Sequence, residues 1–197
     1  MEGSAEIIDR QISLAINGLN SPVTDFIWQV FSFRPLTFVI GGFITVFLFV
    51  RLGWKRALIV LACTLLCIGA SDQLCNLVKE TVGRLRPVHD PWMMEHGLHV
   101  LEEPGKLYGF FSAHAANAMC IAVCSLIGFR ADKTSRYRAY GICMIIWAVL
   151  VGISRVFVGK HFLGDVLVGW LAGLALGLLF GWLARWLIKK LVKSPSV

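Results

Sequence analysis

Lys79, Arg86, His114, Arg155, His161 and Asp165 are the side chains of this 197-residue sequence whose types and spacing fit chemistry at phosphorus. Three cations, Lys79, Arg86 and Arg155, suffice to surround a dianion, and guanidinium forks match phosphate oxygens in two-point contacts. Lys79 and Arg86 are seven apart, two helical turns, so on one helix they face the same way until Pro87 ends it. Two histidines in such a cage divide the labour: a neutral imidazole attacks phosphorus, and a protonated one gives its proton to the leaving oxygen. Asp165 follows His161 by four residues, one turn, and can hold the ring nitrogen that does not react. A covalent phosphohistidine would split one slow hydrolysis into two easier steps, with the cations stabilising the transferring group and no metal required.

These residues must be positioned by membrane helices. The chain is 57% hydrophobic and 16% charged, against roughly 25% charged in an ordinary soluble domain. A hydrocarbon core of about 30 Å takes roughly 20 apolar residues per helix, so five or six spans fit and no large soluble domain does. The apolar runs are 26–50, interrupted by Arg34-Pro35, then 57–78, 110–129, 139–158 and 162–188. They predict five spans, with a sixth if the first run is two segments: an all-α, polytopic transmembrane bundle. Residues 5–19 carry apolar positions at helical spacing beside Glu6, Asp9 and Arg10, the pattern of an amphipathic helix on the membrane surface. The expected organisation is therefore an interfacial segment at 1–22, a membrane domain at 23–190 and a cytoplasmic tail at 191–197. Acidic Glu2, Glu6 and Asp9 stand where a signal peptide would be basic, so no signal peptide is read.

Arg51, Lys55 and Arg56, then Arg130, Lys133, Arg136 and Arg138, then Arg185, Lys189, Lys190 and Lys193 fall on one side of a five-span chain. The positive-inside rule makes that side cytoplasmic and turns the 79–108 connection and the Gly159-Lys160-His161 turn toward the periplasm or exterior. All the reactive residues then meet at that outer surface. Gly169, Gly173, Gly177 and Gly181 continue the four-residue spacing of His161 and Asp165, a stripe that permits close helix contact in lipid. The six cysteines lie in apolar runs without metal-ligand spacing and are read as small packing residues.

The set Lys79-x6-Arg86-Pro87, Ser112-x-His114 and Ser154-Arg155-x5-His161-x3-Asp165 resembles the three-part signature of the type 2 phosphatidic acid phosphatase superfamily of membrane lipid phosphatases. The resemblance runs from Lys79 to Asp165. It implies His161 as nucleophile, His114 as general acid, Asp165 as orienting carboxylate, and Lys79, Arg86, Ser112 and Arg155 around the phosphoryl group. Helix capping is the other reading of Ser112. The middle motif reads Phe111-Ser112-Ala113-His114 where the family has Pro-Ser-Gly-His. Ala113 therefore adds a methyl where the backbone approaches phosphate, which bears on the pocket rim and so on the substrate. No cofactor or metal is implied.

The resemblance makes a phosphorylated membrane lipid the partner: a lipid A phosphate, slightly favoured, undecaprenyl pyrophosphate or phosphatidylglycerol phosphate. A non-catalytic lipid or anion transporter is the alternative of another class, but it would place cations deeper in the spans and has no use for a His-x3-Asp pair beside a second histidine. No nucleic-acid partner is read, since the basic ends match anionic headgroups. Arg84 is read as a solvated interface residue, and His89, Asp90, Glu95, His96, His99, Glu102 and Glu103 as a solvated loop. Trp92, Met93 and Met94 are expected to dip into the interface.

Overall fold

A computed structural model describes residues 3–192; most of the expected tail, 193–197, lies outside the described residues. Eight α-helices are present among them: α1 Ser4–Asn17, α2 Pro22–Ser32, α3 Arg34–Leu52, α4 Trp54–Val82, α5 Pro91–Glu95, α6 Ala113–Phe129, α7 Arg138–Phe157 and α8 Leu163–Leu191. Four of them, α3, α4, α7 and α8, are long and apolar enough to cross a membrane. The apolar α6 is shorter, 17 residues or roughly 26 Å. It is also the most enclosed, with thirteen of its residues buried against α4, α7 and α8. The protein is an all-α membrane protein, as its hydropathy requires.

The interrupted first run becomes two helices. Ser21 caps α2 by accepting the Thr24 N–H, and Pro22 occupies its first turn, a position that needs no donor. Extended Phe33 then separates α2 from α3, which carries Pro35 in its own first turn. At 11 residues, roughly 17 Å, α2 is too short to span. Gly53, at φ +71°, reverses the chain between α3 and α4. At the far end of α4, Gly83 takes the left-handed conformation and stops the helix at Val82, before the proline that the sequence marks as its end. Arg84, Leu85 and Arg86 therefore leave the helix in an extended segment that pairs with the Leu107–Gly109 strand-like stretch through Arg86 N–H to Leu107 O and Gly109 N–H to Arg84 O.

The glycine stripe of α8 lies on α6. A β-carbon at Gly173 would stand 2.3 Å from the Ala116 carbonyl oxygen, and one at Gly169 2.7 Å from that of Ser112. Backbones this close leave no room for a side chain, and they bring the N-termini of α6 and α8 side by side. Gly173→Val should force the two helices apart and cost roughly 3 kcal/mol, the upper range for overpacking. Gly69→Ala, inside α4 and with a new methyl that meets nothing within 4 Å, should not destabilise and should gain up to about 1 kcal/mol from helix propensity. Thermal unfolding in detergent compares the two.

At the opposite end of the bundle, Arg51 on α3 reaches across to Asp132, between α6 and α7, at 2.9 Å. Thr134, Tyr137 and Arg51 hold the Asp132 carboxyl well below its usual range. Five of the six cysteines are buried as packing residues; Cys143 is exposed on α7.

The N-terminal helix departs from a simple surface helix. Its inward face is polar: Ser13 and Asn17 are buried, while Ile7, Ile8 and Ile12 are exposed on the other side. Loop residues read as solvated are also tied down. Asp90 is buried and pairs with Arg10 at 2.8 Å, and His99 meets Asp25 at 2.9 Å. Met93, expected in the membrane interface, instead packs fully buried with Leu98 and Phe162. Met94 alone of the expected Trp92–Met94 tip is exposed, and Trp92 is half-buried and stacks on His96.

Candidate active site

The C-terminal end of α4, the N-terminus of α6, the C-terminus of α7 and the N-terminus of α8 converge on a cleft of about 800 Å³. Lys79, Arg86, Ala113, His114, Arg155 and His161 all line it. Residues separated by up to 82 positions thus open onto one space, and both imidazoles are among them. Arg86 enters from the extended segment rather than from α4, its Nε donating to the Tyr108 carbonyl at 3.2 Å.

Asp165 lies behind the cleft wall with no exposure. Its Oδ2 is 3.4 Å from His161 Nδ1 and accepts the Phe162 N–H at 3.1 Å. One turn of helix thus places the carboxylate beneath the ring, and the same oxygen caps α8. Its Oδ1 accepts from Arg84 Nη1 at 2.8 Å. Arg84 is therefore no solvated residue: an extended backbone, not a helix, aims it inward at a fully buried carboxylate that needs a counter-charge.

Ser112 is fully buried and outside the cleft wall. Its hydroxyl accepts the Ala115 N–H as the cap of α6, and its own N–H donates to the Asp165 carbonyl at 3.0 Å. The structure therefore shows the capping half of its two readings, and the α6 start is welded to the α8 start through the backbone.

Burial, then the charges of Arg155, Arg86 and Lys79, hold the His161 imidazole well below the ordinary histidine range. Such a shift favours the neutral ring, the form in which a nitrogen lone pair can attack. Burial likewise lowers Arg86 and Lys160, partly offset by Asp165 for the former and by Glu102 for the latter.

Four further residues of the cleft escaped the sequence reading. Lys160 is 5% exposed and its Nζ lies 3.5 Å from where a Gly105 β-carbon would sit, with Arg86 Nη1 at 3.8 Å from the same point. Arg34, at the start of α3, lines the same space, and its interruption of an apolar run was the available signal. Asp72 on α4 accepts from Asn117 of α6 at 2.8 Å, a polar pair one turn below His114. Glu102 had no local signal at all. It forms a two-point ion pair with Arg155, both contacts at 3.2 Å, and bonds Ser32 of α2. A carboxylate thus sits on a cleft guanidinium, while Arg155 Nε, buried, has no hydrogen-bond partner among the described residues.

Below the cleft, an apolar cavity of about 550 Å³ runs between α3, α4 and α6, lined by residues such as Phe38, Ile44, Leu61 and Ile68. It shares Arg34, Asp72, Ala113 and His114 with the cationic space above.

Cations gathered at the mouth of a membrane bundle, with imidazoles among them, mark a phosphatase set in the bilayer. The chain belongs to the PAP2 superfamily, whose model matches residues 57–189. It is 30% identical to the lipid A 4'-phosphatase of Bacteroides thetaiotaomicron over 168 residues, 84% of this chain and 72% of the relative. It is also 30% identical to that of Porphyromonas gingivalis, over 85% and 69% of the two chains. The phosphatidylglycerophosphatase B of Bacillus subtilis is 33% identical over 71% of this chain and 62% of its own. In fold, the chain is similar to the crystal structure of the PAP2 type phosphatidylglycerolphosphate phosphatase from Bacillus subtilis, with TM-score 0.72, 24% identity and coverage of 99% and 90%. Aquifex aeolicus LpxE gives 0.67, 22%, 86% and 92%.

Proposed function

We propose that this protein hydrolyses the phosphate of a phosphorylated membrane lipid at the outer face of a bacterial inner membrane, through a phosphohistidine. The observation that carries the reading is the sharing of His114 between the two adjoining spaces: a cationic cleft suited to a phosphorylated headgroup and an apolar slot suited to its hydrocarbon chain. A soluble phosphate ester has no use for the second.

His161 attacks phosphorus, Asp165 holding its Nδ1 so that the far nitrogen carries the lone pair. The phosphorus–oxygen bond to the lipid breaks as His114 supplies the proton that the departing oxygen needs. Water then attacks the phosphohistidine, His114 takes the proton back, and inorganic phosphate leaves. Lys79, Arg86 and Arg155 balance the charge on the equatorial oxygens throughout. Ala113, at the α6 N-terminus, offers its backbone rather than its methyl to the phosphate, and Ser112 supports that turn as its cap. The positive connections at the opposite end of the bundle support the outward orientation.

A lipid A phosphate is the favoured substrate, on the names of two relatives that each match over 80% of this chain. Phosphate release from lipid A, undecaprenyl pyrophosphate and phosphatidylglycerol phosphate, assayed side by side with purified protein in detergent and chelator, tests it. Preferential release from lipid A is expected; inactivity on all three would defeat the enzymatic reading and favour a carrier.

Two further outcomes follow from the geometry. Glu102 competes for Arg155 with any incoming anion, so Glu102→Gln should tighten inhibition by orthovanadate by roughly 3- to 10-fold, the size of a partly solvated charge contact. Unchanged inhibition would mean that the carboxylate and the phosphate do not share the guanidinium. The His161 shift sets the second. Because its proton is lost well below the ordinary value near 6.5, the free enzyme keeps its nucleophile unprotonated into the acid range. The acid limb of kcat/KM assigned to the nucleophile should fall below about pH 6.5; a limb above pH 7 would contradict the neutral ring.

A further inference from the structure

The geometry points to the N-terminal helix as part of the catalytic apparatus, with Asp9 and Arg84 forming a positioning relay that holds Asp165 in register with His161. The inference rests on the reading of Asp165 as the orienting partner of His161.

A carboxylate can orient an imidazole only if its own plane is held. Asp165 offers Oδ2 to His161 and to the Phe162 N–H, so what prevents rotation is the grip on Oδ1, and Arg84 Nη1 provides it at 2.8 Å. The other amino group of the same guanidinium, Nη2, donates to Asp9 Oδ2 at 2.7 Å. One rigid planar fork therefore bridges two carboxylates, which a lysine ammonium on a flexible stem does not reproduce. The guanidinium face also lies 4.1 Å from the centre of the Phe162 ring, the side chain next to His161. Arg84 does not line the phosphate cleft; it stands behind Asp165.

Asp9 is equally committed. Its Oδ1 accepts the Gly164 N–H at 2.8 Å, and Ser13, one turn on, accepts the Leu163 N–H at 2.8 Å. These are first-turn donors of α8, which no residue within that helix can satisfy. A further turn along, Asn17 donates to the carbonyls of Phe157 and Val156 at the end of α7, at 2.8 and 3.3 Å. It also exchanges hydrogen bonds with the backbone of His99, both at 2.8 Å. The stripe Asp9, Ser13, Asn17 thus clamps both ends of the turn that carries His161. A helix that merely lay on a membrane would need none of these bonds.

Charge sharing gives the relay its effect. With Asp9 in place, the single positive charge of Arg84 is divided between two carboxylates, so Asp165 keeps net negative charge with which to stabilise the cation formed as His161 attacks. Without Asp9 the guanidinium is free to swing, and Asp165 with it. Without the fork of Arg84, the buried Asp165 and the half-buried Asp9 lose their common partner.

The test uses the full chain in detergent, with lipid-phosphate turnover measured for Asp9→Asn and Arg84→Lys in the wild-type and Asp165→Asn backgrounds. In the wild-type background we expect kcat to fall roughly 10-fold for Asp9→Asn and 30- to 100-fold for Arg84→Lys, with KM within about twofold, the pattern of a small misplacement at the reacting group. In the Asp165→Asn background both variants should change kcat by less than about twofold, because the group they position no longer carries its charge. Wild-type kcat for both single variants, or equal losses in the two backgrounds, overturns the relay. Wild-type kcat for Asp165→Asn instead overturns the reading beneath it, so the two failures are distinguishable. Should Asp9→Asn fail to fold, Arg84→Lys, which keeps the charge and leaves α1 unaltered, decides the matter by the same comparison.

Discussion

His161→Ala is expected to lower lipid-phosphate turnover by at least about 10⁴-fold, the scale of losing a covalent nucleophile. No neighbouring group can replace the ring. Asp165 is buried behind it, Lys79, Arg86 and Arg155 hold phosphate but do not attack it, and the other imidazole of the cleft, His114, is committed to the leaving oxygen. Because Lys79, Arg86 and Arg155 remain, the variant should still bind orthovanadate and substrate within a few-fold of wild type. Loss of turnover without loss of binding separates a reacting group from a ligand. Brief incubation of wild type with ³²P-labelled lipid phosphate, followed by alkaline quench, should trap acid-labile, base-stable label that His161→Ala lacks. Equal labelling of both proteins, or turnover of the variant within tenfold of wild type, would place the nucleophile elsewhere.

His114→Gln is the second large effect, and its size should depend on the leaving group. General-acid catalysis contributes typically 10²–10⁴-fold, and it matters only where the departing oxygen is too basic to leave unprotonated. Turnover of a lipid phosphate, with an alkoxide or sugar oxygen leaving, should fall by about 10³-fold. Turnover of p-nitrophenyl phosphate, whose phenolate departs unaided, should fall no more than about tenfold. Gln keeps a polar side chain beside Asn117 and the Asp72 pair, so the wall between the two spaces survives. The same loss on both substrates would show that His114 acts by holding phosphate, not by donating a proton.

Read as linear spacing, Lys79 and Arg86 share a helix face; in the molecule they share a cleft but not a helix. Gly83 adopts the left-handed conformation, and the chain past it is extended. Spacing picked out two residues that line one cleft, but for an incorrect local reason. Arg84 shows the converse error, for it is two residues from Arg86 yet bonds Asp165 and Asp9 while Arg86 lines the cleft. Glu102 and Asp9 carried no signal because their partners, Arg155 and Arg84, are 53 and 75 positions away. Ion pairs of such separation exist only once the bundle has closed.

Hydropathy alone determined a helical membrane protein with its charged residues at the span ends, because burying a polar backbone or a lone charge in hydrocarbon is too costly for any alternative. The glycine period of α8 likewise foretold a close helix contact. Which residues complete the site, and which of them support rather than react, was decided by tertiary structure. The α6–α8 contact sets the two histidine-bearing helix starts side by side. The inward polar face of α1 and the loop bearing Glu102 then meet them from distant parts of the chain, through directional bonds that have no counterpart in residue order.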